Sequence, residues 1–526
     1  MAINEDGASK YLGSSSSSEY LSYLLPDDDQ PVTIRLRDPR LLHLPAELIE
    51  LICAFPFGLP DRESSQAAFN DYIPNHSFAL ELVDIYYSYA SWQFNPVTRE
   101  EFDRDILVPL YTMDDEPSVA YIKPHQLALF FGILCLGMIW KEGPTVPLTQ
   151  TRYYALACGA ISLEPISLKK TCTTVQALFT INRALHHFVR GAMEDCWLLH
   201  GMNVRVAQAM ALQYDPVQFG LNETEVQRRR LLFWELFSWD IWNGFVMGRI
   251  PGLQAAYTDC KFPNLEGGKQ RLSLEEMDFH SWVYRYTITM MPPSLRHALT
   301  PGTLPYELLL QLDKQIRTFP TPRHLHVSFQ EQGPSATSWS ENPAIAMQQC
   351  NVIFLKETNL MYLHRPFFVT AIRESPANPL SHKYAPSVLA AYRSACRICL
   401  AMKGLHYMHP VPVEPIWYFW SQVFSSCVVL AALVIGSPNC VIAEQCLLEF
   451  EDAYKFFEEG SARCRPPKCM VSFDLLILSH YTRSDTCSTV LGLIIQDEAA
   501  CQECLCQPPY ESQLAGSTCK GRGTGR

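Results

Sequence analysis

Three consecutive arginines, Arg228, Arg229 and Arg230, stand at the head of a run carrying three Trp and three Phe, QRRRLLFWELFSWDIWNGFVMGRIPG. Guanidinium groups beside aromatic rings are what a nucleic-acid surface uses, the first against phosphates and the second against bases. A triplet alone, however, supplies little binding energy at physiological salt. Glu225 lies three and four residues before Arg228 and Arg229, so on a helix one carboxylate faces both. The arginines are therefore expected to cap or bridge neighbouring helices.

Other residues able to do chemistry are scattered. His186 and His187, with His200 downstream, are metal-ligating types. The positions three and four beyond the pair hold Val189, Arg190 and Gly191, which supply no Cys or carboxylate for a helical site. Cys396-Arg-Ile-Cys399 is a C-x-x-C inside a helical pattern without a second pair nearby, and two buried thiols are expected there. Cys501, Cys504 and Cys506 could bind zinc, but with Cys519 as the next thiol the spacing fits no two-pair ribbon. The motifs of nucleotide loops, hydrolase elbows and zinc-protease helices are missing. Asp27 to Asp29 lie in a polar head and not on a helix facing a cavity. The expectation is a protein that is not an enzyme and uses no cofactor.

The totals narrow the class. The chain has 526 residues, 48% apolar and 18% charged, enough for a sizeable core. A net charge of −12 argues against a chain-wide nucleic-acid surface. Nineteen Cys, odd in number, widely scattered and without a secretory signal, are read as reduced, mostly buried thiols. Ile416 to Gly436 is uncharged over a length that could span a bilayer. Gln422, Ser421, Ser425, Ser426 and Cys427 and the lack of basic flanks favour a core helix, so no membrane is expected.

The elements that must position these residues are helices. Asn222 is an N-cap candidate with Glu225 at the capping-box position, and Glu223 and Glu225 suit the first-turn dipole. Apolar residues cover nearly all faces from Leu231 to Phe245, the mark of a buried helix. Gly248 suits a left-handed stop and Pro251 forbids continuation. Helical patterns recur over His76 to Ala90, 98–107, 123–140, 150–161, 167–189, 193–212, 282–290, 306–319, 346–369, 386–402 and 439–460. Thr318 to Ala344 reads as a surface loop. Strand signals are few, so the fold is expected to be all-α. It divides into a disordered head (1–40), a linker with a short helix (41–75), one large helical regulatory domain (76–460) and a Cys-containing extension and tail (461–526).

The basic triplet, the aromatic helix with Trp234 and the Trp239-Asp240 step, and the exit Gly248-Arg249-Ile-Pro251-Gly together resemble the fungal-specific transcription factor domain. This is the middle homology region of fungal zinc-cluster regulators. A second landmark, Leu363-His364-Arg365-Pro366-Phe367 at the end of a long helix, is similar to the Leu-His-Arg-Pro helix end that recurs in that family. The resemblance covers roughly residues 76 to 460 and implies a nuclear regulator of transcription, of a metabolic or secondary-metabolite gene cluster. It implies interhelical integrity as the role of the motif residues, His364 hydrogen-bonding and packing at its helix end. Full-length members carry a binuclear zinc cluster of six closely spaced Cys. Here only Cys53 precedes Cys135, so the cluster is expected to be absent. DNA would then be reached indirectly, through a homo- or heterodimer with a zinc-cluster factor. Two other readings stand beside this one. The first is a non-DNA adaptor, because Leu41 to Phe55 looks like the start of an F-box. The second is a gene model missing an upstream exon.

Overall fold

A computed structural model describes residues 2–3, 9–10 and 38–461, apart from 59–64, 112–116, 144, 189–191, 265–276, 300–304 and 328–338. The polar head and the thiols Cys501, Cys504 and Cys506 lie outside the described residues. A ribbon pairing Ala2–Ile3 with Ser9–Lys10 is the only strand structure among them. Everything else regular is helical.

The longer helices are α1 (Ala46–Cys53), α2 (His76–Ile85), α3 (Pro124–Gly137), α4 (Val146–Ser162), α5 (Cys172–Phe188), α6 (Met193–Ala209) and α7 (Glu223–Met247). They continue as α8 (Phe279–Thr289), α9 (Met291–Leu299), α10 (Tyr306–Thr318), α11 (Pro343–Glu374), α12 (Ala385–Met408), α13 (Trp417–Gly436) and α14 (Ala443–Ser461). In the first half α3 packs against α2, α4 and α5, with α1 on α4 and α6 on α5. In the second half α11 and α12 pack along each other and against α13, while α10 and α14 close the outside. Helix α7 joins the halves, touching α5 and α6 on one side and α8 and α9 on the other. One continuous apolar core runs through both.

Local chemistry accounts for the helix ends. The Asn222 side chain accepts from the Glu225 amide at 2.9 Å, the expected cap, and the Thr98 hydroxyl accepts likewise from the Glu101 amide at 3.2 Å. Gly248 closes α7 at φ 65° and ψ 35°, the left-handed conformation a Cβ disfavours. Helix α13 is long and apolar enough to cross a membrane, yet 83% of its most apolar window is buried inside the fold. Its polar groups are bonded there: Gln422 accepts from Thr358 at 2.7 Å, and the Ser425 and Ser426 hydroxyls donate to carbonyls one turn back.

Three sequence expectations change. Residues 41–75 do not merely connect: Leu42, Leu48, Leu51 and Phe69 are buried in the common core, and α1 packs on α4. Helix α11 does not end at Leu363 to Phe367 but carries Pro366 inside it and runs on to Glu374. A proline there costs one backbone hydrogen bond. Buried Phe367, Phe368, Ala371 and Ile372 beyond it offset that loss. Helix α9, absent from the sequence reading, begins Met291-Pro-Pro. Prolines read as breakers, but in a first turn the missing N–H has no partner to lose.

Candidate functional site

Helix α7 and the chain leaving it gather most of the motif residues. At the N-terminal end the arginines are turned on carboxylates of their own fold. Arg228 Nε lies 2.7 Å from Glu101 Oε1, and its Nη2 donates to Thr173 Oγ1 and Gln176 Oε1 at 3.1 and 3.2 Å. Burial penalises the Arg228 charge, but Glu101 and Glu225 outweigh it and hold the guanidinium above its ordinary pKa. Arg229 Nε donates to Glu225 Oε1 at 3.0 Å. Arg230 Nη2 donates to both oxygens of Asp215 at 2.9 Å, and Asp215 also accepts from the amides of Val217 and Lys261. Burial would raise the Asp215 carboxyl, yet Arg230 and these amides hold it below the usual carboxylate range. Each arginine therefore ties α7 to a different preceding segment, or to its own first turn.

Further along, Trp234 is buried, with its indole N–H donating to the Lys261 carbonyl at 2.9 Å and its ring 4.5 Å from that of Phe262. Trp239 donates to Asn182 Oδ1 at 3.2 Å and lies under the Arg183 guanidinium at 4.7 Å. Arg183 is 7% exposed and pushed down to about 10 by burial. It is held by Gln93 Oε1 at 3.0 Å and by the faces of Trp239 and Phe94. Glu235, 1% exposed, accepts from the Tyr284 hydroxyl at 2.7 Å and pairs with His280 Nδ1 at 3.0 Å. Burial opposes the His280 charge, but Glu235 prevails and raises its pKa.

The C-terminal end of α7 faces α6. Asp240 Oδ1 lies 3.1 Å from His200 Nε2 on α6, and Oδ2 accepts from the Leu253 amide at 2.6 Å. The exit residues fold back over this pair. Arg249 donates to both oxygens of Glu194 at 3.1 and 2.6 Å and sits 4.6 Å over the Trp197 ring. The ring of Pro251 lies where Gly244 leaves room: a Cβ there would come within 2.8 Å of Pro251 and 2.7 Å of the Arg249 carbonyl. Between α6 and residues 250–258 a cleft of about 710 Å³ remains open, with His200 and Asp240 in its wall.

The second landmark is separate. His364, 1% exposed on α11, bridges Ser387 Oγ on α12 and Asp313 Oδ1 on α10, each at 2.9 Å. Burial would raise the Asp313 carboxyl, but His364 and Arg317 together hold it below its ordinary range. Arg365 lines a small gap against α13, and the Pro366 carbonyl accepts from the Thr370 hydroxyl at 2.9 Å.

The structure thus brings Asp240, Gly248, Arg249 and Pro251 together against α6, arranges the triplet and the tryptophans along the upstream length of α7, and places His364 to Pro366 among α10, α11 and α12. Partner residues that sequence reading passed over are Glu101, Asp215, Glu194 and Arg183. Asp215 carried a local signal, standing before Pro216 in a turn, and Glu101 another, three residues after the helix-starting Thr98. His200 was weighed as a metal ligand, and it faces a carboxylate.

A buried aromatic helix, entered through a paired basic triplet and left through a Gly-Arg-Ile-Pro-Gly turn, is the arrangement the family resemblance calls for. Residues 83–278, from α2 to the loop before α8, match the model of the fungal specific transcription factor domain. The chain carries a fungal specific transcription factor domain. Curated relatives extend beyond that domain. A transcriptional regulatory protein of Schizosaccharomyces pombe, itself uncharacterized, is 22% identical over 486 residues, 87% of this chain and 58% of the relative. The transcriptional activator protein acu-15 of Neurospora crassa is 21% identical over 338 residues, 61% of this chain and 34% of the relative. A second uncharacterized transcriptional regulatory protein of Schizosaccharomyces pombe is 24% identical over 256 residues, 47% of this chain and 40% of the relative. The chain spans 58% or less of the length of each of these relatives. The family match ends ahead of α8, whereas the His364 landmark lies outside it.

Proposed function

We propose that this chain is a nuclear regulator of transcription, of a metabolic or secondary-metabolite gene set, in which the helical domain regulates and a zinc-cluster partner supplies the DNA contact. The observation that carries the reading is the fungal specific transcription factor domain at residues 83–278. Relatives named as transcriptional regulators or activators, similar over up to 87% of this chain, support it. Two features favour indirect contact with DNA. The net charge is −12, and the basic triplet is engaged by Glu101, Glu225 and Asp215, leaving little free positive charge for phosphates. A tagged copy followed by chromatin occupancy, with and without the candidate zinc-cluster partner, tests the proposal. Occupancy that depends on the partner is expected. Absence from chromatin under both conditions would remove the regulatory reading.

A further inference from the structure

Helix α6 buries one side against α5 and α7 and leaves the opposite side exposed. A Cβ added at Gly201, in the middle of the helix, would meet no atom within 4 Å, so the surface there is open. Leu198, one turn before it, is 57% exposed. Ile250 and Tyr257, each 72% exposed, border the same cleft alongside α6. Exposed apolar side chains scattered singly are ordinary, whereas several beside one helix face form a patch of the kind that marks an interface.

The same face carries opposite charges towards its two ends. Asp195 stands in the first turn of α6 and Arg205 near the last, both exposed. Neither has an ion-pair partner among the described residues, and Arg205 donates to the neutral Gln208 at 2.8 Å. Asp195, Leu198, Met202 and Arg205 fall within an arc of about 80° around the helix and span about 15 Å along it. The stripe reads acid, apolar, apolar, base, and its spacing is symmetric about position 200. Turned end for end, it presents base, apolar, apolar, acid in the same register.

We infer that this face of α6 pairs with the same face of a second copy of the chain, the two helices antiparallel about a two-fold axis at position 200. Asp195 then lies opposite Arg205 of the partner subunit, Arg205 opposite the partner's Asp195, and Leu198 against the partner's Met202. A two-fold interface must be complementary to itself, and this stripe is. A uniformly acidic or basic segment would satisfy one of the two charges and repel the other, so charge selects a second copy. The two-fold axis also brings residues 250–258 of both copies to one side of the helix pair, where Ile250 and Tyr257 are shielded from water. The inference goes beyond the regulatory reading and does not depend on it, because oligomeric state is read on the purified chain without DNA.

Charge reversal tests it, since both side chains are exposed and neither is tied to another helix. Sedimentation equilibrium of the full chain at physiological salt is expected to show a dimer. Asp195→Arg sets base against base and Arg205→Asp sets acid against acid, so each alone should weaken dimerisation at least tenfold. Mixed, the two single variants should form a heterodimer, and the chain carrying both substitutions should dimerise again, each within about threefold of the parent. Leu198→Glu, at the centre of the pairing, should also weaken dimerisation at least tenfold. The melting temperature of each variant should stay within a few degrees of the parent. A monomeric parent chain would overturn the inference and leave the stripe to a different protein. So would dimers that persist in both single variants, folded single variants that stay monomeric when mixed, or unchanged dimerisation of a folded Leu198→Glu chain.

Discussion

Helices α7 and α11 carry the two motifs that stand out in the sequence, and they use their polar residues differently. On α11 the polar anchor is inside: His364 is sealed between Ser387 and Asp313 and binds three helices into one layer. On α7 the polar residues are graded along the length. Partly exposed ion pairs stand at the start, Glu235 is enclosed with His280 and Tyr284 in the middle, and Asp240 borders an open cleft at the end. Two motifs equally prominent as sequence are thus a staple in one case and, in the other, a spine whose far end borders an open cleft.

The comparison can be broken at several points. The largest effect should come from the middle of α7, where Trp234→Ala removes a buried indole and its bond to Lys261. A loss of about 3–5 kcal/mol is expected, read by denaturant unfolding. The staple of α11 should rank next. His364→Leu leaves Asp313 short of a donor and should cost about 2–3 kcal/mol. Because the folded-state pKa of Asp313 is depressed, its contribution is complete above the unfolded carboxylate value and is lost as pH falls through the lower folded value. Asp313→Asn should accordingly flatten the acid limb of the stability profile. A third contrast lies within the triplet. Arg230→Ala, at a pair whose side chains are 11% and 10% exposed, should cost about 1–3 kcal/mol. Arg229→Ala, whose pair with Glu225 is 22% and 29% exposed, should cost less than about 1 kcal/mol. The smallest effect separates two glycines. Gly201→Ala should stabilise α6 by about 0.5–1 kcal/mol, since Gly is the poorer helix former. Gly244→Ala should destabilise, because its Cβ collides with the exit turn.

Much of this was legible from local pattern. The Asn222 cap, the Gly248 stop and the all-round burial of α7 follow from residue type and spacing, because the physics that sets them acts within one or two turns. What the sequence hid is long-range. Glu101 and Arg228 are far apart in the chain, and nothing near either residue marks the other. The same holds for His200 and Asp240, whose meeting forms the wall of the cleft. Pro366 misled for the opposite reason: its local meaning is a break, and only the buried residues beyond it make continuation of α11 worthwhile.

The central claim is that the basic triplet belongs to the fold and not to a nucleic-acid surface. A double-mutant cycle on Arg230 and Asp215 tests it most directly, with unfolding free energies measured for Arg230→Ala, Asp215→Ala and the double variant. The account predicts a coupling of about 1–3 kcal/mol, with the double variant hardly less stable than either single one. Additive single effects with no coupling would contradict it.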